Sequence, residues 1–477
     1  MELVRQERGG GGAAEGEDLV ERLHALLPRY LEGGPRYTSY PTAPAWTGAY
    51  AAEEFREALG PTGAGEAPLS VYVHVPFCRS LCHFCACNRV ITRDEALPAR
   101  YLDTIEREIG AVREAIRREP TASQLHWGGG TPTHLAPEQI RRLFRAAADA
   151  FPLRPGAEVS IEVDPRVTRE AHLAALRECG FQRISLGVQD FDPRVQRAIH
   201  RIQPVEVTGV LTDRARRAGF ASVNFDLLYG LPFQTEASFA RTLATVLALA
   251  PDRIALYGYA HVTWVAKQQR GFERQDLPGA PERVRLQVLA VRHLLAGGYV
   301  HVGMDHFARP DDELARAEHE GTLRRNFMGY TTQAGVELLG VGPSAISELR
   351  DGFAQSLREL AAWQEAVLAR GLATFRGHRL TSDDRERAFV IERIMCHGGI
   401  RAPDYRARFG QDLASRFAAE LARLATFEED GLVARESDGG FRVTPLGRFF
   451  LRNVAMVFDA YLPGQRGAGR PMFSRTL

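Results

Sequence analysis

The chain contains 477 residues, of which 60 are Lys or Arg and 59 are Asp or Glu. This balance produces no broad electropositive surface and therefore argues against nucleic acid as a partner. The opening sequence has no apolar run of signal-peptide length, and no later stretch is long enough to cross a bilayer, so we expect a soluble, cytoplasmic protein without a membrane partner.

The N-terminal part of the chain predicts one helix followed by an irregular segment. The glycine run near the start is expected to be disordered. A helix is predicted over residues 17–31, because leucines recur on one face of that stretch. Residues 33–46 are too rich in Pro and Gly for regular structure. On its own this segment could be a plain linker, although its two tyrosines and Arg36 would also suit a surface that lies over a cavity.

The next stretch concentrates cysteine. Cys78, Cys82, Cys85 and Cys87 are four of the six cysteines in the chain, and they follow a predicted strand. Their C-x3-C-x2-C spacing differs from the paired knuckles of a zinc ribbon and from the common ferredoxin runs. Three thiolates on one short loop can each bind one iron of a cubane and leave the fourth iron to a ligand that is not protein. A structural zinc site and a cubane capped by Cys87 remain open as alternatives.

From residue 69 onward, strand-like runs alternate with helical patterns. Six runs rich in β-branched and aromatic residues predict strands over residues 69–75, 123–127, 159–163, 183–188, 222–228 and 253–259. Helices are predicted over residues 98–117, 137–151, 237–249 and 280–295, and a further strand over 299–302. This alternation requires right-handed crossovers and a parallel sheet, so we predict a barrel or an open doubly wound sheet.

Polar residues recur where the predicted strands end. The turn Gly128-Gly129-Gly130-Thr131 follows the second strand, and its peptide groups could bind an ammonium or carboxylate group. Glu162, Gln189 and Asp226 lie at or near the ends of the next three strands, and Tyr259-Ala260-His261 ends the sixth. Because barrel strands carry functional groups at their carboxyl ends, we expect these residues to lie together at one end of the barrel. Taken singly, each side chain is equally compatible with a helix cap or a surface ion pair.

The C-terminal region changes character. Helices are predicted around residues 385–394 and 412–427, then a hairpin that turns at Asp438-Gly439-Gly440, then a helix from Pro445. This order is typical of a winged helix. Its basic residues are interspersed with acidic ones, which favours a scaffold or lid over DNA binding.

The order of these motifs resembles that of the radical S-adenosylmethionine enzymes. The string Y-V-H-V-P-F-C-x3-C-x-F-C-x-C-N, together with SIEVDP, LGVQDF, NFDLLYGLP, YAH and the terminal FDAYL and FSR, is similar to the oxygen-independent coproporphyrinogen III oxidase family. The similarity runs from about Gly34 to Arg475, and Thr263 stands where the family has proline. It implies an α/β fold: a partial (β/α)6-type radical SAM barrel with an N-terminal segment and a mainly α-helical, winged-helix-like C-terminal domain.

The resemblance also implies a cofactor site. Cys78, Cys82 and Cys85 would hold a 4Fe-4S cluster, and Cys87 marks the oxidase among its haem-chaperone relatives. Two S-adenosylmethionine molecules would contact Tyr72, Phe84, Gly129, Gly130, Thr131, Glu162, Gln189, Arg201, Asp226, Ala260 and Ile346. No protein group is expected to be catalytic, because the cofactor supplies the radical.

The implied reaction is the anaerobic oxidative decarboxylation of two propionates of coproporphyrinogen III to vinyl groups, giving protoporphyrinogen IX for haem biosynthesis. The implied partners are a reductase or a flavodoxin- or ferredoxin-type electron donor and an electron acceptor, and we expect a monomer. Arg36, Arg309 and Arg325 are candidates for binding the substrate carboxylates. A haem-binding chaperone, a nucleic-acid regulator with a redox-sensing cluster, and a radical methyltransferase that degrades haem are the alternatives.

The chain is predicted to have five parts. Residues 1–32 would be a flexible extension and helix, and 33–68 a segment that covers the substrate. Residues 69–305 would form the barrel with the cluster loop, and 306–375 the barrel-closing and substrate loops. Residues 376–477 would form the helical, winged-helix-like domain.

Overall fold

The structure is a computed structural model that describes residues 12–63, 67–333, 335–466 and 472–476. Residues 9–11 of the glycine run predicted to be disordered lie outside these ranges. The N-terminal helix α1 (Gly12–Tyr30) covers the predicted helix, and a short helix α2 (Ala52–Leu59) precedes the sheet. Between them, Thr47 N donates to Gly377 O at 3.0 Å, which holds the irregular N-terminal segment against the sheet.

All six predicted strands of the alternating region are present, and most extend a few residues beyond the predicted bounds. The strands are β1 (Leu69–Val75), the short loop strands β2 (Phe77–Cys78) and β3 (Val90–Ile91), β4 (Ala122–Gly129), β5 (Leu153–Val163), β6 (Arg183–Gln189), β7 (Ser222–Tyr229) and β8 (Arg253–Gly258). The helices between and after them are α3 (Ala96–Ala115), α4 (Pro137–Ala150), α5 (Glu170–Glu178), α6 (Pro193–Ala198), α7 (Val205–Arg217), α8 (Glu236–Leu249) and α9 (Ala280–Ala296).

The six long strands pair in parallel in the order β1-β4-β5-β6-β7-β8. Tyr72 on β1 lies opposite His126 on β4, which lies opposite Ser160 on β5. The predicted parallel sheet is therefore confirmed, and the carboxyl ends of all six strands lie at one edge of the sheet, which we call the mouth.

Side chains alternate between the two faces of these strands, as the strand period of two requires. On the outer face, Trp127 and Phe225 are fully buried in the main hydrophobic core, and the ring of Phe181, just before β6, packs against Trp127. On the inner face, Gln124 Nε2 donates to Glu158 Oε1 at 2.9 Å, and Arg183 Nε lies 3.3 Å from Glu158 Oε2. This inner polar network satisfies its own hydrogen bonds and so fixes the positions of neighbouring strands.

The chain beyond α9 extends the sheet at both of its edges. Its elements are β9 (Val300–Val302), β10 (His306–Ala308), α10 (Glu313–Glu320), β11 (Arg324–Asn326), β12 (Gly329–Thr331), β13 (Glu337–Val341), β14 (Ile346–Leu349), β15 (Gly352–Ser356), α11 (Leu360–Arg370) and β16 (Thr374–Arg379). β13 pairs in parallel with the free side of β1, which places Gly340 opposite Tyr72. Residues 306–375, predicted to be barrel-closing and substrate loops, contain strands β10 to β15 and two helices as well as loops, and the sheet has free edges at β16 and β9. The five-part division of the chain stays a prediction.

The C-terminal domain is mainly helical and carries a three-stranded antiparallel sheet in the order β17-β19-β18. Its elements are α12 (Ser382–His397), β17 (Gly399–Ile400), α13 (Ala402–Phe409), α14 (Leu413–Arg416), α15 (Ala418–Arg423), α16 (Ala425–Glu429), β18 (Val433–Arg435), β19 (Phe441–Val443), α17 (Leu451–Met456) and α18 (Leu462–Arg466). β18 and β19 form the predicted hairpin, whose turn contains Gly439. Among the described residues, no helix combines the length and the apolar character needed to cross a bilayer.

The single helix predicted over residues 412–427 is wrong, because this stretch forms three short helices. Phe417 interrupts the first of them with φ −117° and ψ 33°. Its fully buried ring lies 5.7 Å from the rings of both Tyr405 and Phe458. Packing of this ring therefore overrides the local helical pattern.

Candidate active site

The cysteine loop leaves the carboxyl end of β1 and is closed by backbone hydrogen bonds. Val90 N donates to Pro76 O at 2.7 Å, and Thr92 N donates to Cys78 O at 3.0 Å. Inside the loop, Cys85 N donates to Cys82 O at 3.3 Å. These contacts hold the thiols of the loop at the mouth of the sheet.

The thiols of the loop lie close enough together to interact electrostatically. Burial, followed by the nearby Cys85 and Cys82 thiols, raises the pKa of Cys78 to about 11, so the three sulfurs are electrostatic neighbours. Yet among the described residues no three His, Cys, Asp or Glu side chains converge on a single metal ion. A cubane takes each thiolate on a different iron, so its ligands surround a volume and need not converge on a point. The donor set, three cysteine thiols on one short loop, has the chemistry that a cubane with one open iron needs, and zinc stays the alternative.

Cys87 lies beside this set of thiols. Its thiol donates a hydrogen bond to Cys85 Sγ, and this bond is the largest of the effects that lower the pKa of Cys85 to about 6. The same bond raises the pKa of Cys87. Cys87 is therefore a neighbour of a proposed cluster ligand.

Two arginines face the cluster thiols. Arg166 Nη2 lies 3.4 Å and Arg201 Nη1 3.7 Å from Cys82 Sγ. Both guanidinium groups bind Asp164, at 2.6 Å for Arg166 and 3.2 Å for Arg201. Burial alone would raise the pKa of Asp164, but Arg201 and then Arg166 lower it to about 2. The ionised carboxylate thus holds two cations against the loop.

The glycine turn after β4 packs directly on the cysteine loop. Thr131 N donates to Phe77 O at 2.8 Å, and the Thr131 hydroxyl lies 3.5 Å from Cys78 Sγ. Gly129 has φ +115°, and a Cβ at Gly130 would lie 2.6 Å from Pro76 O. Glycine is needed at both positions, because the backbone of the turn touches the backbone of the loop.

Glu162 lies next to the glycine turn. It accepts a hydrogen bond from Gly129 N at 3.4 Å, and its Oε1 lies 3.5 Å from His126 Nε2. Nearly half of its side chain, 47%, is exposed. A carboxylate that faces the mouth in this way can accept hydrogen bonds from hydroxyl groups.

Asp226 and Gln189 extend the polar edge over β6 and β7. Asp226 accepts from Ser185 Oγ at 3.0 Å and Asn224 Nδ2 at 2.9 Å. Burial, followed by the charge of Glu162, raises the pKa of Asp226 to about 7. Gln189 has φ +70°, which turns the chain at the end of β6.

Arg201 is more constrained than the sequence suggests. Its Nη1 donates to Asp164 Oδ2 at 3.2 Å, and its Nη2 donates to Asp164 Oδ1 at 3.3 Å and to Gly187 O at 2.6 Å. Its Nε has no hydrogen-bond partner among the described residues. One donor of the guanidinium therefore remains for a bound ligand.

Phe84 and Ala260 are joined by a residue that the sequence analysis missed. Gln269 Nε2 donates to Phe84 O at 2.8 Å and to Ala260 O at 3.0 Å. Gln269 is 1% exposed and follows β8 by several residues, where no motif marks it. It connects the cysteine loop to the opposite end of the mouth.

Tyr72 and Ile346 meet because β13 pairs with β1. Tyr72 lies opposite Gly340, and a Cβ at Gly340 would lie 2.3 Å from Ile346 O. The Tyr72 hydroxyl lies 3.1 Å from His74 Nδ1. The predicted cofactor residues from β1, β4, β5, β6, β7, β8 and β14 thus share one side of the sheet.

The three arginines proposed for the substrate lie in different places. Arg36 lines a cavity of about 1080 Å³ at the end of β8. Arg325 is buried 3.6 Å from Asp305 and lines a second cavity of about 470 Å³. Arg309 N donates to Asp252 O, which places Arg309 at the amino end of β8, away from the mouth.

Comparisons with known proteins show which family the chain resembles. A family model described as the radical SAM superfamily matches residues 72–246, and one described as the HemN C-terminal domain matches residues 380–450. The chain is similar to the oxygen-independent coproporphyrinogen III oxidase of Synechocystis sp., with 42% identity over 462 residues that cover 96% of this chain and 98% of the relative. Its similarity to the Escherichia coli enzyme of the same name is 44% over 453 residues, covering 95% of this chain and 98% of the relative.

A solved structure has the same overall fold. It is described as coproporphyrinogen III oxidase (HemN) from Escherichia coli, a radical SAM enzyme, and the TM-score is 0.86 at 43% identity. The alignment covers 89% of this chain and 97% of that chain.

Proposed function

This chain belongs to the oxygen-independent coproporphyrinogen III oxidases, which are radical S-adenosylmethionine enzymes, and on that premise we propose that it converts coproporphyrinogen III to protoporphyrinogen IX for haem biosynthesis at the mouth of the sheet. When bound, the reduced 4Fe-4S cluster and S-adenosylmethionine supply a 5′-deoxyadenosyl radical that takes a hydrogen atom from the β-carbon of a propionate. Loss of CO2 and one electron then leaves a vinyl group, and two such decarboxylations complete the reaction.

The observation that carries this proposal is the thiol set at the end of β1. Cys78, Cys82 and Cys85 would hold the 4Fe-4S cluster, which would leave one iron open to S-adenosylmethionine. Arg166 and Arg201, which lie 3.4 and 3.7 Å from Cys82 Sγ, offset the negative charge of the thiolates. The protein holds these groups in place and excludes water from them.

The neighbouring strand ends bind S-adenosylmethionine in this proposal. The backbone of Gly129 and Gly130 and the hydroxyl of Thr131 bind its methionine part, and Arg201 Nε reaches a carboxylate. Glu162 and Asp226 accept hydrogen bonds from ribose hydroxyls. The remaining contacts are Tyr72, Phe84, Gln189, Ala260 and Ile346. Together, the residues of this set contact two S-adenosylmethionine molecules.

The partners of the reaction also belong to the proposal. A reductase or a flavodoxin- or ferredoxin-type protein donates one electron to the cluster, and a separate acceptor takes the electron that each decarboxylation releases. The enzyme acts as a monomer in the cytoplasm.

The test is anaerobic reconstitution with iron and sulfide, followed by reductant, S-adenosylmethionine and coproporphyrinogen III. We expect 5′-deoxyadenosine and vinyl porphyrin to form together. A Cys82→Ala variant should lose both products, whereas Cys179→Ala, a cysteine of the hydrophobic core, should keep them. Full turnover by Cys82→Ala would refute the cluster assignment, and 5′-deoxyadenosine without vinyl product would refute the substrate.

A further inference from the structure

The cavity of about 1080 Å³ forms a cleft between the barrel and the C-terminal domain. Its walls come from the end of β8, the first half of α9, residues 31–36 and residues 448–452 and 472–476. This volume is at or above the upper end of the roughly 300–1,000 Å³ typical of small-molecule pockets. The cleft is therefore large enough for part of a macrocycle.

Positive charge exceeds negative charge in the lining of the cleft. Two carboxylates, Glu32 and Asp305, face six arginines, which are Arg36, Arg274, Arg283, Arg448, Arg452 and Arg475. Arg448 already pairs with Glu318 at 2.6 Å, and Arg452 donates to backbone carbonyls. The cations that remain are available to an anionic ligand.

Arg283 is a half-buried cation without a carboxylate partner among the described residues. Its Nη1 donates to Tyr259 O at 2.9 Å, and its guanidinium carbon lies 5.8 Å from the centre of the Tyr229 ring. Burial, and then the charges of Arg36 and Arg475, lower the pKa of Arg283. Because a partly buried cation is costly without a counter-charge, a bound carboxylate would stabilise this side chain.

Arg36 joins the cleft to the interior of the barrel. Its Nη2 donates to Gly258 O at 2.8 Å, and its guanidinium lies 5.7 Å over the ring of Tyr257. Tyr257 faces the interior, where its ring meets His306. Asp305 interacts electrostatically with Arg36, but it also pairs with His306 at 2.7 Å and Arg325 at 3.6 Å.

Along β8 the cleft lies on the face opposite Tyr257, and beyond the carboxyl end of the strand it reaches Ala260, one of the proposed cofactor contacts. Leu256 and Gly258 line the cleft, whereas Tyr257 between them points into the interior. A propionate that reacts must lie at the mouth, beside the cofactor. A carboxylate in the cleft is therefore one that the substrate keeps.

We propose that Arg36 and Arg283 bind propionate carboxylates that coproporphyrinogen III retains while another propionate reacts at the mouth. This inference rests on the proposed function, because it assumes a tetrapyrrole substrate. The macrocycle extends from the mouth over the carboxyl end of β8, where Ala260 and His261 line the cleft, and the two guanidinium groups fix its orientation by charge-assisted hydrogen bonds.

The experiment measures porphyrin binding to the anaerobic holoenzyme by absorbance titration. The probes are coproporphyrin III, which carries four propionates, and protoporphyrin IX, which carries the two that remain after reaction. Arg283→Gln and Arg36→Gln should each weaken both probes by the same factor of roughly 10–100, because each variant loses a hydrogen bond to a charged group. Arg283→Lys, which keeps the charge but loses the planar fork, should weaken binding less.

The matched control is Arg285→Gln on the same helix, because Arg285 pairs with Glu236 and Glu282, each at 3.0 Å, and does not line the cleft. It should bind both probes as the unmodified protein does. Unchanged binding in Arg283→Gln and Arg36→Gln, or weaker binding of coproporphyrin III alone, would overturn the inference. Failure of the unmodified enzyme to form vinyl porphyrin would instead count against the proposed function.

Discussion

Arg166 is the residue that best shows how the protein controls charge at the cluster loop. It lies on the connection after β5, contacts Cys82 Sγ, and is held by Asp164. The sequence singled out the cysteines through their spacing, but nothing in the local pattern marks Arg166 as their neighbour. Its role depends on the parallel pairing that brings the end of β5 beside the loop after β1.

Replacing Arg166 by Gln should make the cluster harder to reduce. Reduction adds a negative charge to the cluster, and a nearby cation favours that state. We expect Arg166→Gln to lower the midpoint potential of the reconstituted cluster by up to about 60 mV, since 59 mV is a tenfold change for a one-electron couple. Potentiometric titration followed by electron paramagnetic resonance measures the shift. The exposed Arg169 provides the control variant Arg169→Gln, and an unchanged or raised potential in Arg166→Gln would refute the role.

Asp226 should make the stability of the apo protein depend on pH. Its pKa of about 7 lies above its ordinary value, so the folded state favours the protonated form. The neutral side chain is present in both states below about pH 4; stability then falls as the pH rises from about 4 to about 7, because the unfolded state ionises first, and it is constant above that pH. Asp226→Asn removes this cost and should be more stable than the unmodified protein at pH 8 by up to about 4 kcal/mol, reduced by solvent screening.

Denaturant unfolding between pH 5 and 8 measures this difference, which should shrink towards pH 5. The same variant should bind S-adenosylmethionine more weakly, because the amide presents only one acceptor oxygen. Asp213→Asn, at an exposed position on α7, should change neither quantity. A stability difference that grows towards low pH would contradict the assignment.

Gln269 is a site residue that could not be predicted from the sequence. Glu162 and Asp226 were predicted because they occupy strand ends within recognisable strings. Gln269 touches two of the predicted cofactor residues, yet its partner Phe84 is 185 positions away and the contact is to a backbone carbonyl. A contact of this kind leaves no signature in composition or spacing.

At the scale of elements, the strands that alternate regularly with helices could be predicted from the sequence, and β13 could not. Each of the six strands from β1 to β8 is bounded by a helix or turn that the hydrophobic period reveals. β13 spans only Glu337–Val341, and its parallel partner is β1, at the other end of the sheet region in sequence. Its pairing is set by the free edge of β1, which no local pattern encodes.

The contact between the glycine turn and the cysteine loop allows a test at this scale. A methyl group at residue 130 would lie 2.6 Å from Pro76 O, a backbone atom that cannot move independently of the loop. We expect Gly130→Ala to lower the free energy of unfolding by about 1–3 kcal/mol and to reduce the iron content after reconstitution.

Gly110→Ala is the matched control, because Gly110 lies within α3 and a Cβ there meets nothing within 4 Å. This change should raise the free energy of unfolding by roughly 0.5–1 kcal/mol, since alanine favours the helix. Chemical denaturation and iron analysis distinguish the two variants. Full iron content in Gly130→Ala would show that the turn does not position the loop.

At the scale of the whole molecule, the two ends of the chain meet beside the cleft. Thr476 N donates to Glu32 O at 2.8 Å, and Gly34 N donates to Ser474 O at 3.1 Å. Arg452 joins both ends to the C-terminal domain, because it donates to Pro35 O at 2.8 Å and Arg475 O at 3.0 Å. The segment that carries Arg36 is thereby held against the barrel by residues from the far end of the sequence.

These contacts with the C-terminal residues explain why the N-terminal segment could be predicted only as a linker or as a cover over a cavity. Its proline and glycine content excludes regular structure, but its conformation is set by Arg452 and by the tail near residue 475. Neither partner is detectable from the segment itself. The choice between linker and cover therefore required the assembled fold.

Arg452→Met should remove the contacts that hold the N-terminal segment against the C-terminal domain. The change leaves at least three buried carbonyl groups, those of Pro35, Arg475 and Thr476, without their donor. We expect a loss of about 2–4 kcal/mol in the free energy of unfolding, since each buried unpaired group costs about 1–3 kcal/mol and water can replace part of the bonding. Limited proteolysis should cut the segment of residues 33–46 faster than in the unmodified protein. Arg442→Met, at a half-exposed arginine paired with Glu436, is the control and should keep the original cleavage pattern. An unchanged pattern in Arg452→Met would mean that the sheet contacts at Thr47 hold the segment without help from the C-terminal domain.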